Sequence, residues 1–184
     1  MMCNCSAPEL PPINITQTAT MVPRLEYSST LLNDILDILK KKQNEIKKTN
    51  KIFLSDFDVD DKLHQNALET EKTMSFSVEI LSHIQKRTQM ISGVASIPKT
   101  LPSVIPVIRT ISAQLFEILP ECSQKLSELS VHLGSLVLDS ATLTNARFDF
   151  NIFNKESAVL LDEVKLMVDS KINKQYPNVD FFKA

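Results

Sequence analysis

Residues 24–53 read RLEYSSTLLNDILDILKKKQNEIKKTNKIF, and this stretch decides the fold class. Leu25, Leu32, Leu39, Ile46 and Phe53 lie seven residues apart, with Ile35 and Leu36 filling out the same stripe. Apolar residues at that spacing line one side of a helix, here about 24–53. The other side carries Lys40, Lys41, Lys42, Lys47, Lys48 and Lys51. Outward from this helix the pattern stays helical. A second long stripe (Leu63, Ala67, Met74, Val78, Leu81, Ile84, Ile91, Ala95) predicts a helix over about 59–96, and the short turn Ser55-Asp56-Phe57-Asp58 between the two favours an antiparallel hairpin.

Pro98, Pro102 and Pro106 follow, four apart. Proline lacks a backbone donor and clashes inside a helix, so this run is expected to end the second helix and open a third, about 104–119. Pro120 and Glu121 start a fourth, about 120–140, lined by Cys122, Leu126, Leu129, Leu133 and Leu136. A fifth is predicted over about 155–176, N-capped by Asn154, with Ala158, Leu161, Val164, Val168 and Ile172 on its apolar face and Pro177 as its stop. The domain reading is a disordered arm over 1–22, a helical core over 23–140, a linker over 141–154, a closing helix over 155–178 and a tail over 179–184. The fold class is all-α, a long antiparallel hairpin with two shorter helices and a C-terminal amphipathic helix.

Composition agrees. The chain of 184 residues has 2 glycines, where average usage would give about 13. Tight hairpins, phosphate-cradling loops and nucleophile elbows need backbone that glycine supplies, so a many-stranded sheet with tight turns is not expected and a glycine-rich nucleotide loop is excluded. The net charge of -2 hides a division: residues 21–55 carry seven bases against four acids, and residues 56–184 carry thirteen bases against seventeen acids. A basic helix is joined to an acidic remainder.

No pattern supports catalysis, a metal or a cofactor. Asp56-Phe57-Asp58-Val59-Asp60 opens like a calcium loop, but Asp61 and Ala67 stand where Gly and Glu are required. His64, His83 and His132 are scattered, and no nucleophile motif surrounds any serine. Cys3, Cys5 and Cys122 are odd in number and make no disulfide framework, which suits a reducing interior. Neither a signal peptide nor a membrane span is apparent. The lysine cluster is the strongest signal. From Lys40 to Lys51 the chain carries six lysines and one glutamate. Near an anionic membrane each basic residue contributes about 1 kcal/mol. No aromatic residue interrupts the cluster to stack on bases, so a lipid surface is favoured over nucleic acid.

The order of a basic first helix, a long hairpin, two shorter helices, a linker and a late amphipathic helix resembles the ESCRT-III superfamily, and most nearly its archaeal cell-division branch of CdvB-type proteins. Pro106-Val107-Ile108-Arg109, leading through Ile118-Leu119-Pro120-Glu121 to Leu126-Ser127-Glu128-Leu129, is similar to that family's junction between its third and fourth helices. Glu156-Ser157-Ala158, Leu161-Asp162-Glu163 and the run from Lys171 to Tyr176-Pro177 are similar to its last core helix. The resemblance spans about 24–178.

The resemblance implies a non-enzymatic membrane-remodelling filament subunit, cytoplasmic and peripheral to the membrane at a division site, that polymerises on anionic membrane in archaeal cell division or membrane scission. Its implied partners are further copies of itself, paralogous subunits, and a Cdv-type AAA ATPase reached directly or through a paralogue. Lys40, Lys41, Lys42, Lys47, Lys48 and Lys51 would face the membrane, and Leu161, Val164, Val168 and Ile172 would form the face of an autoinhibitory helix. Asp169 and Asn173 depart from the family's ATPase-docking pattern, and 184 residues leave no room for its winged-helix region, so the expectation is a core-only paralogue. The other class open to these stripes is a soluble coiled-coil scaffold subunit of a hetero-oligomeric complex that does not polymerise on lipid.

Overall fold

A computed structural model describes residues 15–53 and 61–177. The described residues are almost wholly helical and contain no strand. The elements are α1 (Ile15–Phe53), α2 (Asp61–Gln89), a 3-10 turn (Val94–Ser96), α3 (Ile97–Thr100), α4 (Val104–Leu115), α5 (Pro120–Thr144) and α6 (Phe150–Gln175).

Helix α1 packs against both α2 and α5. Side-chain bonds give the directions. Asn33 meets Gln85, Gln43 Nε2 donates to Ser75 Oγ at 2.9 Å, and Asn50 Nδ2 donates to the Ala67 carbonyl at 2.9 Å. As the number rises on α1 it falls on α2, so the two run antiparallel. Tyr27 OH donates to Glu128 at 3.1 Å and Arg24 reaches Asp139 at 2.7 Å, so α5 is also antiparallel to α1. Helices α4 and α5 form their own antiparallel pair, fastened where the Ser112 hydroxyl donates to the Ser123 carbonyl and the Ser123 hydroxyl donates back, each at 2.8 Å. Helices α1, α2, α4 and α5 thus make a four-sided, alternately directed bundle. Helix α6 lies in the outer groove between α2 and α4.

The core is built as the stripe predicts on α5 and over the middle of α1, while Leu25, Ile46 and Phe53 of the same α1 line are half-buried. Leu32, Ile35, Leu36 and Leu39 are buried, and so are Cys122, Leu126, Leu129, Leu133 and Leu136. Helix α2 differs. Leu63 is 53% exposed, while Leu68, Met74, Ile80, Leu81 and Ile84 are buried together with the polar Glu71, Ser77 and Thr88.

Several boundaries move for identifiable reasons. Residues 15–22, read from sequence as part of a disordered arm, are the first turns of α1, and Pro23 lies inside that helix. An interior proline costs about 3 kcal/mol, but Met21 is 2% exposed and belongs to the core, so packing of this turn offsets the loss. Helix α2 stops at Gln89, well before the prolines. Pro98 opens α3, and Pro106 sits in the first turn of α4, where a missing N–H costs little. The linker over 141–154 contracts to 145–149, because α5 continues to Thr144 and α6 begins at Phe150. Asn145 closes α5 in the left-handed conformation at φ 51°, which asparagine tolerates. The cap of α6 is Asp149 rather than Asn154: its Oδ1 accepts from the Asn151 and Ile152 amides at 3.0 and 3.4 Å. Asp56 to Asp60, the Ser55 to Asp58 turn, Cys3 and Cys5 lie outside the described residues.

One comparison on α5 checks this packing. Leu133 is 1% exposed and Val131, two residues earlier, is 69% exposed. Leu133→Ala is expected to lower unfolding free energy by about 2–5 kcal/mol, and Val131→Ala by no more than about 0.5 kcal/mol, both measured by urea denaturation.

Candidate functional site

The six lysines of α1 are not equivalent once the helix is placed. At about 100° per residue, Lys40, Lys41, Lys48 and Lys51 share an arc of roughly 100° turned away from the core line of Leu32, Leu36 and Leu39. All four are exposed, and none has a hydrogen-bond or ion-pair partner among the described residues. Lys42 and Lys47 lie on the two flanks and are half-buried; Lys42 Nζ is 3.3 Å from Glu45 Oε2. Of the four, Lys51 lies in the last turn of α1, where a cation also complements the helix dipole.

Helix α6 is seated by Leu160, Val164, Val168 and Ile172, all buried, with Ser157 below them. Burying each such apolar side chain is worth about 1.5–3 kcal/mol. The expected line through Ala158 and Leu161 is turned by one residue in its first half. Ala158 is exposed, and Leu161 is half-buried at the edge of the core. On the inward side the Ser157 hydroxyl lies 2.6 Å from the Ser103 carbonyl and 2.7 Å from the Phe153 carbonyl of its own helix, the two acceptors open to its one proton.

The other end of α6 is held by a residue that the sequence stripe concealed. Glu71 is fully buried. Its Oε1 accepts from Gln175 Nε2 at 3.1 Å, and its Oε2 accepts from Asn50 Nδ2 at 2.9 Å and from the Tyr176 hydroxyl at 2.8 Å. Three helices therefore converge on one carboxylate. The Tyr176 phenol is pushed up to about 12, first by burial and then by its bond to Glu71 and that group's charge, against a smaller opposite effect from Gln175. Around this node, Lys72 lies 2.7 Å from Asp169, and Lys171 lies 3.1 Å from Glu79. Glu71 sits between Ala67 and Met74 at helical spacing, so a glutamate inside the apolar line was the available signal.

The remaining polar groups are dispersed. His64 and His132 set their rings edge-on against Phe53 and Tyr27 at 5.4 and 5.2 Å, and His83 faces Glu79. No three His, Cys, Asp or Glu side chains gather at a metal-binding distance among the described residues. Burial pushes the Cys122 thiol up, which leaves it a weak nucleophile. Arg109, Ser112, Phe116, Ser123 and Ser127 line an open groove, but the Ser112 and Ser123 hydroxyls are engaged in bonds between α4 and α5. No helix among the described residues is long and apolar enough to cross a membrane.

The chain has two tyrosines, so each can be titrated alone by tyrosinate absorbance. In Tyr27→Phe the remaining phenol is expected to ionise near 12. Because the folded value lies above the ordinary one of about 10, its stabilising contribution is complete below pH about 10 and is lost as pH rises through about 12. Tyr176→Phe should lack that alkaline loss at the α6 end. In that variant Tyr27, raised first by its bond to Glu128, should also titrate above the ordinary value.

No protein-family model matches this chain, and no solved structure matches it.

Proposed function

We propose that this chain is an ESCRT-III-like membrane-remodelling filament subunit that assembles on anionic membrane in archaeal cell division or a related scission event. The observation that carries the reading is the outward arc of Lys40, Lys41, Lys48 and Lys51, exposed and unpartnered on a long helix whose opposite side is committed to the core. Four such charges near an anionic leaflet supply about 4 kcal/mol, enough for reversible adsorption and sensitive to salt. The sequence likeness at 106–129 and 156–177 supports the choice of family. In this reading copies of the chain and paralogous subunits build the filament, α6 restrains it while docked through Val164, Val168 and Ile172 with Leu161 at the edge, and a Cdv-type AAA ATPase takes it apart, directly or through a paralogue. The protein works at the cytoplasmic face of the division site. No catalytic group is assigned.

The scaffold reading has its own support. Ile152, Val159 and Leu166 on α6 are 52%, 56% and 71% exposed and lie seven residues apart, a spacing that suits a partner helix. Such a scaffold would bind protein and ignore lipid.

Sedimentation with vesicles separates the two. The full chain is expected to sediment with phosphatidylserine-containing vesicles at low salt and not with phosphatidylcholine alone. Lys40, Lys41, Lys48 and Lys51 changed together to Glu should abolish sedimentation while helical circular dichroism stays unchanged. Absence of binding by the unaltered chain refutes the membrane reading. Truncation before α6, at residue 149, should raise light scattering by assembled protein, and a truncated chain that stays monomeric refutes the restraining role of α6.

A further inference from the structure

A ridge and a groove lie side by side on one face of the bundle. Helices α1, α2, α4 and α5 touch in that order around it, so α1 stands diagonally across from α4. Helix α6 rests between α2 and α4 and forms the ridge. On the other flank of α4, between α4 and α5, runs the groove lined by Arg109, Ala113, Phe116 and Ser127. Val131, Gly134 and Leu138 continue its α5 wall. Phe116, Val131 and Leu138 are 66%, 69% and 64% exposed.

The ridge presents Ile152, Val159 and Leu166, a line turned roughly 150° from the buried line of α6. Lys165 and Asp169 mark the α2 flank of α6, and Glu156 and Glu163 lie on the opposite flank, toward α4. Ridge and groove match in height. Ser157 meets Ser103, and Val168 shares a groove with Gln114, so α6 and α4 rise together. Ser112 meets Ser123, and Arg109 shares its groove with Ser127, so α5 descends as α4 rises. Ile152 therefore stands level with Leu138, Val159 with Val131, and Leu166 with Ala113. Glu163 stands level with Arg109.

Charge and shape agree with that register. Arg109, Glu156 and Glu163 are exposed, and none is in an ion pair among the described residues. Gly134 is one of two glycines in the chain and sits inside α5, where alanine would be more stable. A Cβ added there would meet nothing within 4 Å, so packing within the chain does not require the glycine. A second helix laid along the groove does, because its side chains then enter the notch between Val131 and Leu138. A two-fold rotation about an axis parallel to α4 lays the ridge of one copy in the groove of another and makes the reverse contact at the same time.

We infer that two copies of this chain pair through this face, with α6 of each seated in the α4–α5 groove of the other and Glu163 of one copy on Arg109 of the other. The outward lysines of α1 lie across the bundle and stay uncovered. The pairing needs no lipid and does not rest on the membrane proposal. In the filament reading the pair is the restrained form, because α6 is then held from both sides.

The test is sedimentation equilibrium of the full chain without lipid, over about 1–100 μM. The unaltered chain is expected to approach twice its monomer mass and to stop there. Arg109→Glu and Glu163→Arg should each weaken pairing about ten-fold or more, and the two together in one chain should restore it. Gly134→Gln should melt no lower than the unaltered chain by circular dichroism, since glutamine is the better helix former, yet remain monomeric. A chain that stays monomeric over the whole range overturns the inference. A mass that keeps growing with concentration overturns the closed two-fold pair. A Gly134→Gln chain that pairs as the unaltered one does, or a charge exchange that fails to restore pairing, overturns the assigned faces.

Discussion

Helix α1 is 39 residues long and packs against two neighbours, α2 and α5. That double engagement constrains everything else in the molecule. Leu32, Ile35, Leu36 and Leu39 belong to the core on that side, so the opposite arc of α1 is left for solvent, and the outward lysines share it with the exposed Asp37 and Asn44. The lysines owe their shared direction to what the opposite side of the helix must bury. Arg24 and Tyr27 fix the first half of α1 to α5, while Gln43 and Asn50 fix the second half to α2.

Apolar burial and polar bonds have different tasks on α6. Leu160, Val164, Val168 and Ile172 are spaced by four residues and bury well, but the hydrophobic effect has no direction. A helix with such a line could shift along its groove and keep much of its apolar contact. The bonds at its two ends prevent that. Ser157 binds the Ser103 carbonyl at one end, and Gln175 and Tyr176 bind Glu71 at the other. A buried hydrogen bond broken by such a shift would leave its partner unsatisfied at a cost of about 1–3 kcal/mol. Register is therefore set by a few polar atoms and holding strength by the apolar line. The more exposed pair Lys171–Glu79 adds little, because exposed ion pairs are worth about 0–1 kcal/mol.

The places where the sequence misled are equally physical. Pro23 reads as a helix start because proline disfavours interior positions, yet a buried Met21 two residues earlier carries the helix through it. Asp149 caps α6 instead of Asn154, its Oδ1 taking the Asn151 and Ile152 amides, and beside it the Phe150 and Phe153 rings stand 6.0 and 6.3 Å from that of Phe148. On α6 itself, a stripe drawn through Ala158 and Leu161 and one drawn through Ser157 and Leu160 differ by a single residue. Periodicity cannot separate them, because which line turns inward depends on the groove that α2 and α4 present.

The sequence by itself determined the all-helical class, the shortage of turns and the concentration of positive charge on α1, because glycine content, apolar spacing and lysine placement are properties of the chain alone. Legible there too were the buried line of α5 and the central part of that of α1, Leu32 to Leu39. Packing of the helices against one another settles which lysines face outward, which side of α6 faces in, and that a glutamate of α2 lies buried beneath the ends of α1 and α6. Each of these depends on partners far apart in sequence. Asn50, Glu71 and Tyr176 are separated by 21 and 105 residues, and no local pattern records that three helices will bring them to one point.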